Sequence, residues 1–151
     1  MIRPSRNFAL ALSFAAATLL VSALTLAQDA KAPAMSNPPR GARVRILSPE
    51  NGAKLTNPVK LRFSASRIKT EPAGVALAGS GHHHVIVDAL PPALGEVIPT
   101  DAQHLHFGKA QKEAEIQLPP GLHTLTLQFA DGLHRSYGPQ MRDTIIIEVQ
   151  K

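Results

Sequence analysis

The sequence predicts an all-β protein, an immunoglobulin-like antiparallel β-sandwich of about seven strands. Three observations support this prediction. Short segments alternate apolar and polar residues with a period of two, turn-forming Gly, Pro, Asn and Asp residues separate them, and no stretch keeps helical periodicity over a useful length. The one rival helix, residues 110–118, is rich in helix formers, but Pro119 and Pro120 close it early.

The first 27 residues have the order of a secretory signal peptide. A basic start with Arg3 and Arg6 precedes an apolar run over residues 8–26, and small residues precede a cleavage site after Ala27. Cleavage there lowers the net charge from +5 to +3, because Arg3 and Arg6 are removed. The alternative is an uncleaved N-terminal membrane anchor, since the run is near the length that spans a bilayer. We expect an exported protein, in the periplasm of a Gram-negative bacterium and without membrane contact after cleavage.

Residues 28–42 follow as a flexible, disordered linker, because they are rich in Pro, Ala and polar residues and show no periodicity. A single His-rich β-sandwich domain then occupies residues 43–151. The chain has no cysteine, which excludes disulfides, thiol catalysis, iron–sulfur clusters and cysteine zinc sites. Basic residues are scattered and aromatic residues are few, so nucleic acid is not expected as a partner. The sequence leaves the oligomeric state open.

Seven segments carry the strand pattern. The first two, joined by the turn-rich stretch SPENGAKLTNP, are expected to pair antiparallel. The third begins HHHVIV and is apolar and β-branched, which indicates a strand buried on both faces. Asp131 and Gly132 form a turn signal before the last loop. The predicted strands lie near residues 43–47, 59–65, 82–88, 104–107, 114–118, 122–130 and 143–149.

Strand parity sorts the histidines, because side chains at i and i+2 lie on one face of a strand. His82 and His84 therefore share a face, while His83 points the other way with Val85 and Val87. In the segment HLHF the two histidines also share one face. Each H-x-H pair could chelate one ion, and two pairs on neighbouring strands would form a four-imidazole site that suits Cu or Zn. The candidate metal ligands are His82, His84, His104, His106 and His134, the last being either a fifth ligand or a turn residue.

Two other histidines, His83 and His123, fall in phase with apolar faces, so we expect both to be buried, hydrogen-bonded structural residues. Met35 and Met141 are soft donors that would suit Cu(I), but no motif surrounds either of them.

The leading hypothesis is an exported, non-enzymatic binding module whose partner is a metal ion, Cu or Zn. The alternative is a structural or ligand-binding sandwich whose histidines act by hydrogen bonding. A third hypothesis, a metal-dependent enzyme, needs an acid–base group beside the metal, and Asp88 and Lys109 are the only neighbours in sequence. Ser80 lies between two glycines before a strand, which is not the strand-to-helix turn of a nucleophile elbow. No catalytic or cofactor-binding residue is assigned.

Three stretches resemble a bacterial family, the domain of unknown function 4399. They are GHHHVIVD, HLHFGKAQKEAEIQLPPGLHTLTLQFADGLH and the closing TIIIEV, and the resemblance extends from about Arg43 to Val149. Ala110 is a departure, since the family pattern has Gly at that turn position. The resemblance implies an exported domain with no established activity, and it therefore adds no mechanism.

Overall fold

Two β-sheets pack against each other around a shared apolar core. The computed structural model of the protein describes residues 34–151, and nearly all the regular structure in this range is β. One turn of 3-10 helix, Pro139–Met141, is the only helical element among these residues. The all-β prediction is therefore confirmed. The nine strands are β1 Arg43–Ser48, β2 Lys54–Leu55, β3 Val59–Ser66, β4 Lys69–Thr70, β5 Ser80–Val87, β6 His104–Phe107, β7 Glu113–Ile116, β8 Gly121–Ala130 and β9 Arg142–Val149.

The smaller sheet has the order β1-β3-β7 and the larger one β2-β9-β8-β5-β4, with β6 also paired to β5. All pairs are antiparallel except β2 with β9 and β4 with β5. These two parallel strands were not predicted. They lie in segments that the sequence indicates as turn and loop, and two residues are too few to show an alternating pattern.

The core lies between the sheets, where β3 contributes Leu61 and Phe63 and β8 contributes Leu125, Leu127 and Phe129. Because side chains alternate between the two faces of a strand, those of β5 and β8 that do not face the core lie on the outer face of the larger sheet. Every residue of β5 is nevertheless buried, as the sequence predicts. Over β5 and the end of β8, the outer face is covered by the loops that follow these two strands. They are joined there by backbone hydrogen bonds, such as that from the Gly95 N–H to the Ser136 carbonyl at 2.8 Å.

Residues 34–42 form no strand or helix, as expected for a linker, but they lie against the domain. Met35 packs against the core, and the Gly79 N–H donates a hydrogen bond to Ser36 Oγ at 3.3 Å. The predicted signal peptide, residues 1–27, and the start of the linker lie outside the described residues. Within residues 34–151, no helix has the length and apolar character needed to cross a membrane.

Candidate metal centre

Four histidine side chains converge on the outer face of the larger sheet: His82, His84, His106 and His134. One potential ligand nitrogen from each lies within 4.8 Å of the others. The ring centroids are 4.7 to 5.6 Å apart in all six pairs. Zinc–nitrogen bonds of about 2.0–2.1 Å place the nitrogens of a tetrahedral site about 3.4 Å apart. The four nitrogens are therefore close enough to hold one metal ion with small side-chain adjustments.

Adjacent strands bring three of these histidines together. His82 and His84 are two residues apart on β5 and so share its outer face. Strand β6 pairs antiparallel with β5, and its register sets His106 directly opposite His84. The two H-x-H segments are thus neighbours, which the sequence could suggest but not establish.

His134 reaches the group from the loop after β8. Its backbone is in the left-handed region with φ 64°, which is uncommon for a residue other than glycine. The His134 N–H donates to the Asp131 carbonyl at 2.9 Å, and its own carbonyl accepts from the Ile98 N–H at 2.9 Å. The main chain is therefore held from two sides while the ring points at the other three histidines.

Asp131 organises this loop, and the sequence interpretation missed it. Its Oδ1 accepts hydrogen bonds from the N–H groups of Leu133 and Arg135, both at 2.9 Å. Its Oδ2 accepts from Arg135 Nε at 2.8 Å and forms an ion pair with the same guanidinium at 2.7 Å. Asp followed by Gly is a turn signal in the sequence, and an Asp side chain that accepts from the N–H group two residues later stabilises such turns. The further bond to the Arg135 N–H and the link to the histidines are not visible in the sequence.

Two glycines beside the histidines are closely packed. A Cβ on Gly108 would collide with the His106 ring, and a Cβ on Gly132 would collide with the Val75 carbonyl. The segment before Val75 lies beside both turns, since the Ala73 N–H donates to the Gly108 carbonyl and the Gly74 N–H donates to the Gly132 carbonyl, both at 2.9 Å.

The buried histidines of the group are neutral at neutral pH. Burial, reinforced by neighbouring histidines, lowers the pKa of His82 to about 4 and that of His84 to about 2, although the charge of Asp131 opposes the shift at His82. Burial and the neighbouring His134 also lower the pKa of His106. Neutral imidazole is the form that binds a metal. The four-histidine group is therefore ready to bind a cation without first releasing protons from its buried members.

His82 and His84 are fully buried, and their Nε2 atoms lie 3.1 Å apart. The Nδ1 atoms of both rings have no hydrogen-bond partner among residues 34–151. By contrast, His106 is exposed and His134 is partly exposed. The group thus has a buried floor and a solvent-accessible rim, through which an ion can reach it.

The structure does not bring the fifth candidate, His104, into this group. His104 lies two residues before His106 on β6, opposite Ile86 instead of a histidine. Its Nδ1 lies 2.8 Å from Asp101 Oδ1, and its N–H also donates to that oxygen at 3.0 Å. Strand parity predicted the correct face for His104, but its ring contacts Asp101 in the local turn instead of the other histidines.

His83 points into the core, as parity predicts, and is fully buried between the rings of Phe63 and Phe129, with centroids 5.2 and 5.0 Å away. The expected hydrogen bonds are not found. Neither ring nitrogen has a partner within the described residues. Burial and the nearby His82 lower the pKa of His83 to about 4, so the ring is neutral.

His123 has the buried, hydrogen-bonded environment that was expected. Its Nδ1 donates to Asp88 Oδ2 and its Nε2 donates to the Pro119 carbonyl, both at 2.7 Å. Two acceptors require two ring protons. Although burial opposes protonation, the hydrogen bonds to Asp88 and Pro119 raise the pKa of His123.

The groups considered for other chemistry lie elsewhere. Asp88 follows β5 at the end opposite His82, six residues or about 20 Å along the strand, and its Oδ1 accepts from the Thr124 N–H at 2.7 Å. Lys109 follows Gly108 and is exposed. Met35 and Met141 pack with the apolar core. Asp88 is therefore too far from the four histidines to act as an acid–base group beside a metal bound there.

Comparison with known proteins gives a family. No curated protein and no solved structure matches the chain. A family model described as Domain of unknown function (DUF4399) matches residues 61–150, a shorter span than the predicted 43–149, so β1 and β2 lie outside it. Ala110, the departure from the family pattern, has φ 60°, the conformation that favours glycine. Because the model covers more than half of the chain, the protein belongs to the family described as Domain of unknown function (DUF4399).

Proposed function

We propose that the protein is an exported metal-binding module that holds one Cu or Zn ion with His82, His84, His106 and His134. The observation that carries this proposal is the convergence of four imidazoles within 4.8 Å of one another. Burying two neutral histidines side by side, with their Nε2 atoms 3.1 Å apart, is costly. A cation bound by one nitrogen of each of the four rings would offset part of that cost.

The ligand set supports binding over catalysis. Imidazole suits Cu and Zn, and the four-histidine group contains no carboxylate, the ligand type that Mg and Ca prefer. Four protein ligands complete a tetrahedral shell, whereas catalytic zinc sites keep three ligands and an open position. The module would therefore store, carry or be stabilised by its metal.

Export is the second part of the proposal, and it rests on the order of charged, apolar and small residues in positions 1–27. Expression in a Gram-negative host should place the protein in the periplasmic fraction with Gln28 as its first residue, as read by N-terminal sequencing. A protein that keeps its first 27 residues in the membrane fraction would show the anchored alternative instead.

Calorimetric titration of the purified protein with Zn²⁺ and Cu²⁺ tests metal binding. We expect one site, and the variant His84→Ala with His106→Ala should lose at least about 100-fold in affinity, because second-shell changes alone cost 10–100-fold. The control variant, His104→Ala with His123→Ala, removes two histidines outside the group and should bind as the wild type does. Equal affinities for the two double variants would refute the proposal.

One observation favours the alternative, in which the histidines act by hydrogen bonding. The 3.1 Å separation of the His82 and His84 Nε2 atoms also fits a hydrogen bond between neutral rings. On this alternative, replacing either histidine lowers the free energy of unfolding and no metal affinity exists to be lost. The same titration, combined with thermal unfolding of the variants, separates the two functions.

A further inference from the structure

We propose that Asp131 is a positioning residue that holds His134 in place as the fourth ligand and so sets the coordination number of the metal. This inference rests on the proposed metal-binding function. It concerns a residue that lies outside the four-histidine group and acts on the metal mainly through His134.

The loop is folded around a single carboxylate. Both oxygens of Asp131 are used, Oδ1 by the N–H groups of Leu133 and Arg135 and Oδ2 by the Arg135 guanidinium. The Asp131 main chain adds two hydrogen bonds. The Asp131 N–H donates to the Arg135 carbonyl at 3.0 Å, and the Asp131 carbonyl accepts from the His134 N–H. The residues on both sides of His134 are therefore tied to Asp131, which is only 7% exposed.

His134 needs this support more than the other ligands do. His82, His84 and His106 lie on strands and are placed by their register. His134 lies on a loop with φ 64°, a conformation that costs about 1–2 kcal/mol for residues with a Cβ. Without the carboxylate, the loop can relax to ordinary dihedral angles and turn the ring away from the group.

Asp131 is placed to hold the loop and not to bind the ion itself. Its two oxygens are both committed to backbone N–H groups and to Arg135, so neither is free to turn toward a metal. Its carboxylate still lies near enough to act on the charge of His82. The residue can thus favour a bound cation electrostatically while its main effect is on the geometry of His134.

Electron paramagnetic resonance of the Cu²⁺-loaded full-length protein tests the inference, because nitrogen hyperfine structure reports the number of imidazole ligands. Asp131→Ala should give the spectrum of His134→Ala, with one nitrogen fewer than the wild type and a Cu²⁺ affinity lower by about 10–100-fold. Asp131→Asn keeps the acceptor for the two N–H groups and should restore the wild-type spectrum. A general loss of stability would not make the Asp131→Ala and His134→Ala spectra coincide.

The matched control is Asp101→Ala. Asp101 also bonds a histidine and two N–H groups, those of Gln103 and His104, but this turn lies outside the group. Its loss should leave the spectrum unchanged. Where Asp131→Ala does not fold, Asp131→Glu serves instead, since the longer side chain keeps the charge but misplaces the acceptor. A wild-type spectrum from the folded variant overturns the role of Asp131 and leaves metal binding intact, whereas a wild type without bound Cu²⁺ overturns both.

Discussion

Adjacent residues of β5 show how strongly position decides the role of a histidine. His82 and His84 face outward to the four-histidine group, and His83 between them faces the core and the ring of Phe63. Both ring nitrogens of His83 lack partners within the described residues. An unsatisfied buried polar group costs about 1–3 kcal/mol, while an apolar side chain of similar size avoids that cost. His83 is therefore a destabilising residue in the core of the fold.

Replacing His83 with leucine should raise the free energy of unfolding by about 1 kcal/mol or leave it unchanged, because the lost ring contacts offset part of the gain. Urea unfolding followed by circular dichroism measures the change. The control is His123→Leu, which breaks two hydrogen bonds and should destabilise the protein. A fall of more than about 2 kcal/mol in the free energy of unfolding of His83→Leu, as ordinary damage to a core produces, would contradict the claim that His83 destabilises the fold.

Among the elements, β6 and the turn after it decide which histidines join the four-histidine group. Parity in the sequence gave the shared face of His104 and His106 correctly. It could not give the register between β5 and β6, because residues 88–103 connect the two strands and their length sets no fixed alignment. That register puts His106 opposite His84 and leaves His104 opposite Ile86. The four-histidine group therefore depends on a long-range strand register that the sequence does not specify.

Gly108→Ala tests the turn after β6. The new Cβ would meet the His106 ring, which is exposed and can swing aside, so the free energy of unfolding should fall by less than about 1 kcal/mol. Metal affinity should fall at least about tenfold, since the ring leaves its position. Calorimetric titration and thermal unfolding measure the two effects. Gly132→Ala is the contrasting variant, because its Cβ meets a backbone carbonyl and should lower stability instead.

An unchanged metal affinity in a folded Gly108→Ala protein would show that the place of His106 does not depend on this close contact.

At the scale of the whole molecule, the buried histidines make stability depend on pH. Burial lowers the pKa of His82 and His83 to about 4 and that of His84 to about 2, from an ordinary value of 6.5. As pH falls below 6.5, these histidines bind protons in the unfolded chain but stay neutral in the folded protein. Stability is therefore lost on acidification. The raised pKa of His123 has the opposite sign, since its contribution is present at low pH and lost as pH rises through that pKa.

The melting temperature of the metal-free protein should fall steadily from pH 6.5 to pH 5, a window above the ordinary carboxylate pKa values of about 4. Each of the three histidines contributes up to about 1.4 kcal/mol per pH unit, and together they outweigh His123. Differential scanning calorimetry across this range measures the effect. His83→Leu removes one of the three and should flatten the curve, and a wild-type melting temperature that stays constant to pH 5 would be the contrary result.

Much of the molecule could be predicted because its signals are local. Alternation over six or more residues identified β3 and β8, and turn residues between the segments indicated a sandwich. The two-residue strands β2 and β4 carry too short a pattern to be seen. In the candidate site, His82, His84, His106 and His134 were all named in advance. Asp131 was not, because its role arises from hydrogen bonds to residues 133–135 that form only once the loop closes.

The central claim is that four histidines from β5, β6 and the loop after β8 hold one metal ion. A crystal structure of the Zn²⁺-loaded protein, with anomalous diffraction recorded at the zinc edge, tests it most directly. The expected result is one strong peak about 2.0–2.1 Å from a nitrogen of each of His82, His84, His106 and His134. A crystal with no peak among these four rings, or with zinc only beside His104 and Asp101, would contradict the claim.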